Sequence, residues 1–262
     1  MPIDLKSRRQ IELMRQAGNL VHRIVSRMRA AAVAGVTTGE LDEIARVEIE
    51  KAGAWSPIKN YPDYKPNKGF PGYTCISLNE EVVHGIPGLR VLKEGDIAKI
   101  DCALSLNGYC ADTATTVAVG KISPRIQKLL DVTKETLEMA ISAIAPEKKW
   151  SDIARLIQWH VEQKHGYSMV REFVGHGVGR TMHEDPKVPN FVTAEQLRQD
   201  FRLKVGMTIA VEPMVVMGKR EVTMLEDGWT IVTKDGQAAA HYEHTVAVTE
   251  KGAEILTNGD GE

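Results

Sequence analysis

From Ser7 to about Ala34, apolar residues return every three or four positions. Ile11, Met14, Leu20, Val21, Ile24, Val25 and Met28 carry the pattern, with arginines between them, and this spacing predicts an amphipathic helix. The run Gly35-Val-Thr-Thr-Gly-Glu-Leu-Asp42 then offers a cap, and a second helix is expected from about Thr38 to Lys51, stopping at Gly53. A similar pair follows later. Ile126 to Ile144 has helical periodicity and Pro146 breaks it; Ser151 is placed to cap a helix running to about Lys164, before Gly166. Strand-like stretches occupy Tyr73–Leu78, Ser168–Val174, Thr208–Val216, Trp229–Thr233 and His241–Thr249. The order helix, helix, strands thus occurs twice, and Glu43-Ile-Ala-Arg46 and Asp152-Ile-Ala-Arg155 hold matching places in the two units, which points to an internal repeat. The class implied is α+β, with helices packed on a largely antiparallel sheet.

The most informative stretch is Ile97 to Thr116. It reads as two strands joined at Asn107-Gly108, the dipeptide that best supplies the positive φ angles of a type I′ hairpin turn. With those two residues as the turn, 106 pairs with 109, 103 with 112 and 101 with 114. The strand period of two then puts Asp101 and Asp112 on one face as diagonal neighbours, roughly 7–8 Å apart at the backbone. Two acids on an open face would simply be solvated. Buried, they would repel each other and demand a compensating cation, most simply a metal ion.

The remaining composition narrows the setting. The chain has 262 residues, 43% hydrophobic and 26% charged, with a formal net charge of −2. It has ample apolar content for a large core and no sign of a general nucleic-acid or membrane binder. Cys75, Cys102 and Cys110 make no disulfide framework, and the hairpin register sends Cys102 and Cys110 to opposite faces. A reducing compartment follows. The start of the chain lacks the apolar region of a signal peptide, and no run approaches membrane-spanning length, so a cytoplasmic location is expected. Residues 56–72 hold four prolines and two glycines and read as a long loop of the kind that is often functional.

Further ionisable groups stand where the pattern expects apolar ones: His84 before Gly-Ile-Pro87, His176 and His183 bracketing a glycine-rich turn, Glu212 at a strand end and Glu243 at a strand start. Singly, each is compatible with an ordinary solvated or hydrogen-bonded role. His241 and His244 fit either titrating neighbours of Glu243 or surface groups. The Gly175-His-Gly-Val-Gly179 run follows a strand, but no helix comes after it to receive a pyrophosphate, which argues against a dinucleotide loop. Together, two Asp, two Glu and at least one His form an oxygen-rich set without thiolate. Such a set suits manganese, cobalt, iron or a co-catalytic zinc pair better than a structural zinc site.

Five stretches carry a family resemblance: Cys75–Pro87, Gly95–Asp101, Gly175–Arg180, Gly206–Met214 and Tyr242–Thr245. In order and spacing the chain resembles the methionine aminopeptidases, from about Ile11 to Leu256. The resemblance implies the pita-bread fold, with pseudo-two-fold halves (roughly 11–120 and 121–256) and a curved antiparallel sheet flanked by helices, all within a single catalytic domain spanning 1–262. It implies two divalent ions per chain, of Co, Mn, Fe or Zn. Asp101 would chelate one, His176 and Glu212 the other, and Asp112 and Glu243 would bridge them. It implies attack of a metal-bridging hydroxide on the first peptide bond, with Glu212 moving the proton, His183 meeting the carbonyl oxygen and His84 the peptide nitrogen or leaving amine. Phe70, Cys75, Met182 and Trp229 would line a pocket for the methionine side chain.

Glu243 follows Glu212 by only 31 positions, too few for the helical insertion of the second type of this family, so the chain is similar to type I. Ala103 stands where relatives often carry a threonine. The implied substrates are N-termini of peptides or nascent chains with a small second residue. A transient ribosome contact, a monomeric state and no membrane or specific nucleic-acid partner are expected. Two rivals remain: a proline-specific peptidase of the same fold, and a non-catalytic relative that binds peptides, ribosomes or other proteins.

Overall fold

The computed structural model describes residues 3–62 and 69–259. Of the loop expected over 56–72, residues 63–68 lie outside that description. The first helix, α1 (Arg8–Ala31), begins where Ser7 and Gln10 close a capping box, the Ser7 hydroxyl accepting from the Gln10 amide and the Gln10 side chain accepting from the Ser7 amide. Its buried face is the stripe read from the sequence with Ala17 and Gly18 added, while Ile11 is only partly buried. Helix α2 (Thr38–Lys51) opens on a second capping box, Thr37 with Glu40. Both helices cover β1 (Cys75–Leu78), β3 (Ile97–Leu106) and β4 (Tyr109–Ala118), burying Ile24, Met28, Leu41, Ile76, Ile100 and Leu104 in one core. Each such side chain contributes roughly 1.5–3 kcal/mol relative to exposure.

The β3–β4 hairpin has the expected register: Leu106 pairs with Tyr109, Ala103 with Asp112 and Asp101 with Ala114. Asn107 and Gly108 turn with φ of 54° and 78°, as a type I′ turn requires. In the second half, α3 (Pro124–Ser142) starts two residues earlier than its periodicity suggests, because Ser123 caps it and Pro124 occupies its first turn. The next helix, α4 (Trp150–Gln158), corrects the expectation for Ser151. Its N-cap is Lys149, which makes no side-chain cap. Ser151 lies inside the helix, and Asp200 accepts from its amide (3.0 Å) and its hydroxyl (2.7 Å). A remote carboxylate has replaced the local cap. The helix continues as a π-helical segment, Trp159–Lys164.

Several strands are shorter than predicted, for local reasons. Tyr73 and Thr74 donate their amides to the Asp42 carboxylate instead of a ladder. Pro213, which has no N–H, divides the 208–216 stretch into β8 (Thr208–Val211) and β9 (Met214–Val216). Asp227 accepts from the Trp229 and Thr230 amides, so β11 (Ile231–Thr233) begins late. The 168–174 stretch yields only β5 (Ser168–Met169), and β6 (Gly175–Gly177) follows it. The 241–249 stretch divides at Tyr242 into β12 (Ala239–His241) and β13 (Glu243–Thr249). The remaining strands are β2 (Glu81–Val83), β7 (Glu184–Val188), β10 (Val222–Met224) and β14 (Gly252–Ile255), and a short helix, α5, spans Ala194–Arg198.

The main sheet runs β1-β3-β4-β13-β8-β6-β7, with β14 also on β13, and all its pairs are antiparallel. Helices α3 and α4 bury Leu129, Leu137, Ile153 and Ile157 against Ile209, Val211, Val246 and Val248. Each half of the sheet thus has its own helix pair and its own core.

The halves meet at β4 and β13, where the ladder holds just two residue pairs, Ala114 with Glu243 and Thr113 with His244. Threonine hydroxyls extend it at both ends. Thr245 Oγ1 accepts from the Asp112 amide (2.9 Å) and donates to the Asp112 carbonyl (2.8 Å). Thr116 Oγ1 does the same for His241, at 2.9 and 2.7 Å. The strands splay at Asp112 and at His241, and a hydroxyl fills each gap.

Candidate metal centre

Asp101 and Asp112 project from the same face of the hairpin, and the seam brings the second half to them. Glu243 lies opposite Ala114, whose other neighbour is Asp101. Glu212 follows Val211, the partner of His244, so it sits beside the first residue of β13. His176 enters from β6 next to β8. These side chains, together with His84, His183 and His241, line one cavity of about 490 Å³.

Two overlapping triads stand out among the described residues. Ligand-capable atoms of Asp112, His176 and Glu243 lie within 4.8 Å of one another, as do those of Glu212, His241 and Glu243. Glu243 belongs to both. Asp101 lies outside both triads but lines the same cavity; its charge bears on Glu212 and Glu243, and that of Asp112 bears on it. His176 Nδ1 faces the Gly177 carbonyl at 3.0 Å. With the proton on Nδ1, Nε2 presents its lone pair to the cluster, 3.5 Å from Glu212 Oε1.

His241 is the member that sequence reasoning left open. It is 2% exposed, with Nε2 at 3.6 Å from Glu212 Oε2 and 4.0 Å from Glu243 Oε2. The usable signal was its spacing of two from Glu243, which puts both on one face of an extended chain. His244, on the opposite face, bonds Thr257 Oγ1 instead. The open, solvated alternative is overturned for Asp112, which is 5% exposed; Asp101 is half-buried and lines the cavity.

Electrostatics shows what this crowding costs. Burial, and then the charge of Asp112, push the carboxyls of Asp101, Glu212 and Glu243 well above the usual carboxylate range. Burial raises Asp112 as well. The histidines move the other way: burial lowers His176 and His241 to about 3 each, and His84 to about 4. Four acids and neutral imidazoles therefore face one cavity that no described Lys or Arg lines. Asp112 Oδ1, Glu243 Oε1 and both ring nitrogens of His241 are buried without a hydrogen-bond partner. Orphaned polar atoms of this kind carry a desolvation cost that a divalent cation would remove. The donor set fits a metal.

The other end of the cavity is apolar. Phe70, Cys75 and Met182, all buried, cluster with Ile58 and Ala103, and Trp229 packs against them. Phe70 and Trp229 meet edge to face at 5.3 Å. Ala103, on the hairpin face that carries the aspartates, is fully buried against this end. His84 adopts a left-handed φ of 60°, a strained conformation for a non-glycine residue, and its ring meets Phe173 at 5.3 Å. His183 stands at the exposed mouth, 4.2 Å from the His176 ring, with Tyr61 Oη 2.9 Å from its Nδ1. Tyr61 was a further omission; it belongs to the 56–72 loop, where no pattern identified a partner for it.

Comparison with known proteins supplies an independent view. Residues 12–250 match the description "Metallopeptidase family M24". The chain is 46% identical to methionine aminopeptidase 1 of Bacillus subtilis over 252 residues, covering 96% of this chain and 98% of that one. It is 40% identical to the methionine aminopeptidase of Escherichia coli over 98% of this chain and 94% of that one. Among solved structures, the methionine aminopeptidase of Thermotoga maritima superimposes with a TM-score of 0.91 at 41% identity, covering 97% and 99% of the two chains. The prolidase of Pyrococcus furiosus shares the fold, with a TM-score of 0.74 at 20% identity over 97% of this chain and 65% of that one.

Proposed function

The chain belongs to metallopeptidase family M24 and has its pita-bread fold, and on that premise we propose that it removes the N-terminal methionine from peptides and newly made proteins whose second residue is small, as a type I methionine aminopeptidase. The observation that carries the proposal is the cavity itself. Unpartnered buried carboxylate oxygens stand at one end and a soft apolar pocket at the other. A blocked or internal methionine would not present a free amine beside the acids. Within the 31 positions from Glu212 to Glu243 the described elements are strands, which favours the first type over the second.

The family works with divalent metal, and the residues that would hold it here are Asp101, Asp112, His176, Glu212 and Glu243. On the family resemblance Asp101 would serve one ion, His176 and Glu212 a second, and Asp112 and Glu243 would be shared; cobalt, manganese, iron or zinc would each suit the donors. When bound, such ions act as Lewis acids and lower the pKa of water toward neutrality. The protein's own groups do the rest. Glu212 would take the proton of the attacking water and pass it to the departing amine. His183 would donate to the carbonyl oxygen as charge develops on it, and its bond to Tyr61 would hold the ring in that attitude. His84 would meet the peptide nitrogen. Phe70, Cys75, Met182 and Trp229 would hold the thioether side chain, which is soft and apolar like the wall.

The chain is read as a single catalytic domain, acting as a monomer in the cytoplasm on nascent N-termini with at most transient contact to the ribosome. No described helix is long and apolar enough to cross a membrane. The test is hydrolysis of Met-Ala-Ser, Met-Leu and Leu-Pro peptides with several divalent metals. Release of methionine from Met-Ala-Ser alone is expected. Cleavage of Leu-Pro without Met-Ala-Ser would move the protein to the proline-specific branch, and no cleavage with no metal uptake would make it a binding protein.

A further inference from the structure

A second group of potential ligands lies on the far side of α3, and none of its members lines the cavity. His160 belongs to the π-helical segment Trp159–Lys164, and His165 follows it directly. In an α-helix, residues five apart point in different directions, whereas the wider π turn, with its i→i+5 bonding, returns the fifth residue to the same side. The two rings accordingly sit 4.7 Å apart, tilted by 59°. Glu135, from α3, brings Oε2 to 3.6 Å from His160 Nε2. One ligand-capable atom from each of the three residues lies within 4.8 Å of the other two.

The His160 side chain is 6% exposed, and its Nε2 has no hydrogen-bond partner; the Nε2 of His165 is likewise buried and unpartnered. Two buried, unpartnered imidazole nitrogens on adjoining rings, one of them facing the Glu135 carboxylate, form a built site. Burial chiefly, then the nearby Lys128 and Lys164 charges, disfavour the imidazolium form of both rings, with the Glu135 charge opposing. Neutral imidazole is the form that binds metal.

We propose that Glu135, His160 and His165 form a separate divalent-metal site of the zinc type, clipping α3 to the π-helical turn that ends the α4 helix. Two imidazole nitrogens and one carboxylate oxygen supply three positions of a tetrahedral shell, and water completes it. Zinc lies about 2.0–2.2 Å from such atoms, which sets tetrahedral ligands roughly 3.4 Å apart, and Glu135 Oε2 already stands 3.6 Å from His160 Nε2, so only a small adjustment of its side chain is needed. At 52% exposed, it is free to move.

The experiment strips the full chain with chelator, titrates it with zinc alone, and compares wild type with Glu135→Gln and His165→Asn. Glu135 is exposed and His165 half-buried, and neither residue belongs to the centre described above. Wild type should bind one more equivalent than either variant, or bind that equivalent at least about 10-fold more tightly. Loss of a ligand should cost at least as much as loss of an outer-shell partner, for which 10–100-fold is typical. Zinc should also raise the thermal midpoint of wild type more than that of the variants. Identical isotherms and identical thermal responses in all three proteins would overturn the proposal, whether or not the chain hydrolyses peptides.

Discussion

Replacing Thr245 by Val tests the seam between the two halves. Valine keeps the branched shape and nearly the volume of threonine, so no cavity forms; what disappears is one hydroxyl. That hydroxyl is fully buried and serves both the amide and the carbonyl of Asp112. The substitution leaves two buried backbone groups without partners, at about 1–3 kcal/mol each, or about 2–6 kcal/mol together. For a chain of this size 1 kcal/mol moves the thermal midpoint by roughly 2–4 °C, so a fall of roughly 4–24 °C is expected. Thr245→Ser keeps the hydroxyl and loses one methyl, and it should cost only about 1 kcal/mol. Because the same bonds hold the backbone that carries Asp112, Thr245→Val should also weaken divalent-metal binding by about 10–100-fold. Calorimetric melting of the metal-free proteins and metal titration of both variants give the two readouts. If Thr245→Val melts with Thr245→Ser and binds metal as wild type does, the hydroxyls are not what joins the halves.

Gly18→Ala in α1 should destabilise, although alanine is the better helix former by about 1 kcal/mol. Its Cβ would lie 1.8 Å from the Leu256 carbonyl oxygen, an overlap costing about 1–3 kcal/mol or more, and a raised melting temperature would contradict that packing. Glu243→Gln should make the metal-free protein more stable near pH 7 and the metal-loaded protein less so. It removes one buried acid whose folded pKa lies above its unfolded value and whose stabilising form is therefore lost as pH rises; a metal-free variant less stable than wild type would refute this. Lys99 is buried against the carbonyls of Asn79 and Ala239, and burial lowers it to about 7. Between pH 7 and about 10.4 the unfolded chain thus holds the extra proton, and stability should rise with pH by up to about 1.4 kcal/mol per unit. Lys99→Met should flatten that slope in urea titrations, and an unchanged slope would show that Lys99 stays charged in the fold.

The sequence was most legible where local rules suffice. The hairpin register follows from one turn dipeptide and a period of two, and it placed Asp101 and Asp112 together before any tertiary information. The capping boxes at Ser7 and Thr37 are local as well. What stayed hidden depends on distant partners. Asp200 caps α4 from 49 positions away in the chain, and Asp42 ends the pairing of Tyr73 and Thr74 from 31 and 32 positions away. His241 stayed open between a titrating neighbour of Glu243 and a surface group because Glu212, the carboxylate nearest its ring, arrives from another strand. The threonines of the seam gave no signal at all, since a buried threonine in a strand is ordinary until its hydroxyl is seen standing in for a ladder bond.

That seam has a consequence for how the molecule could be taken apart. Asp101 and Asp112 lie before the exposed Gly120–Lys121 connection, and His176, Glu212, His241 and Glu243 lie after it. Each side carries its own helix pair and apolar core. Two polypeptides divided at that point would each own part of a chelator and neither the whole. Divalent cations would then act as a molecular bolt, and reassembly of the pieces would become a titratable function of metal concentration.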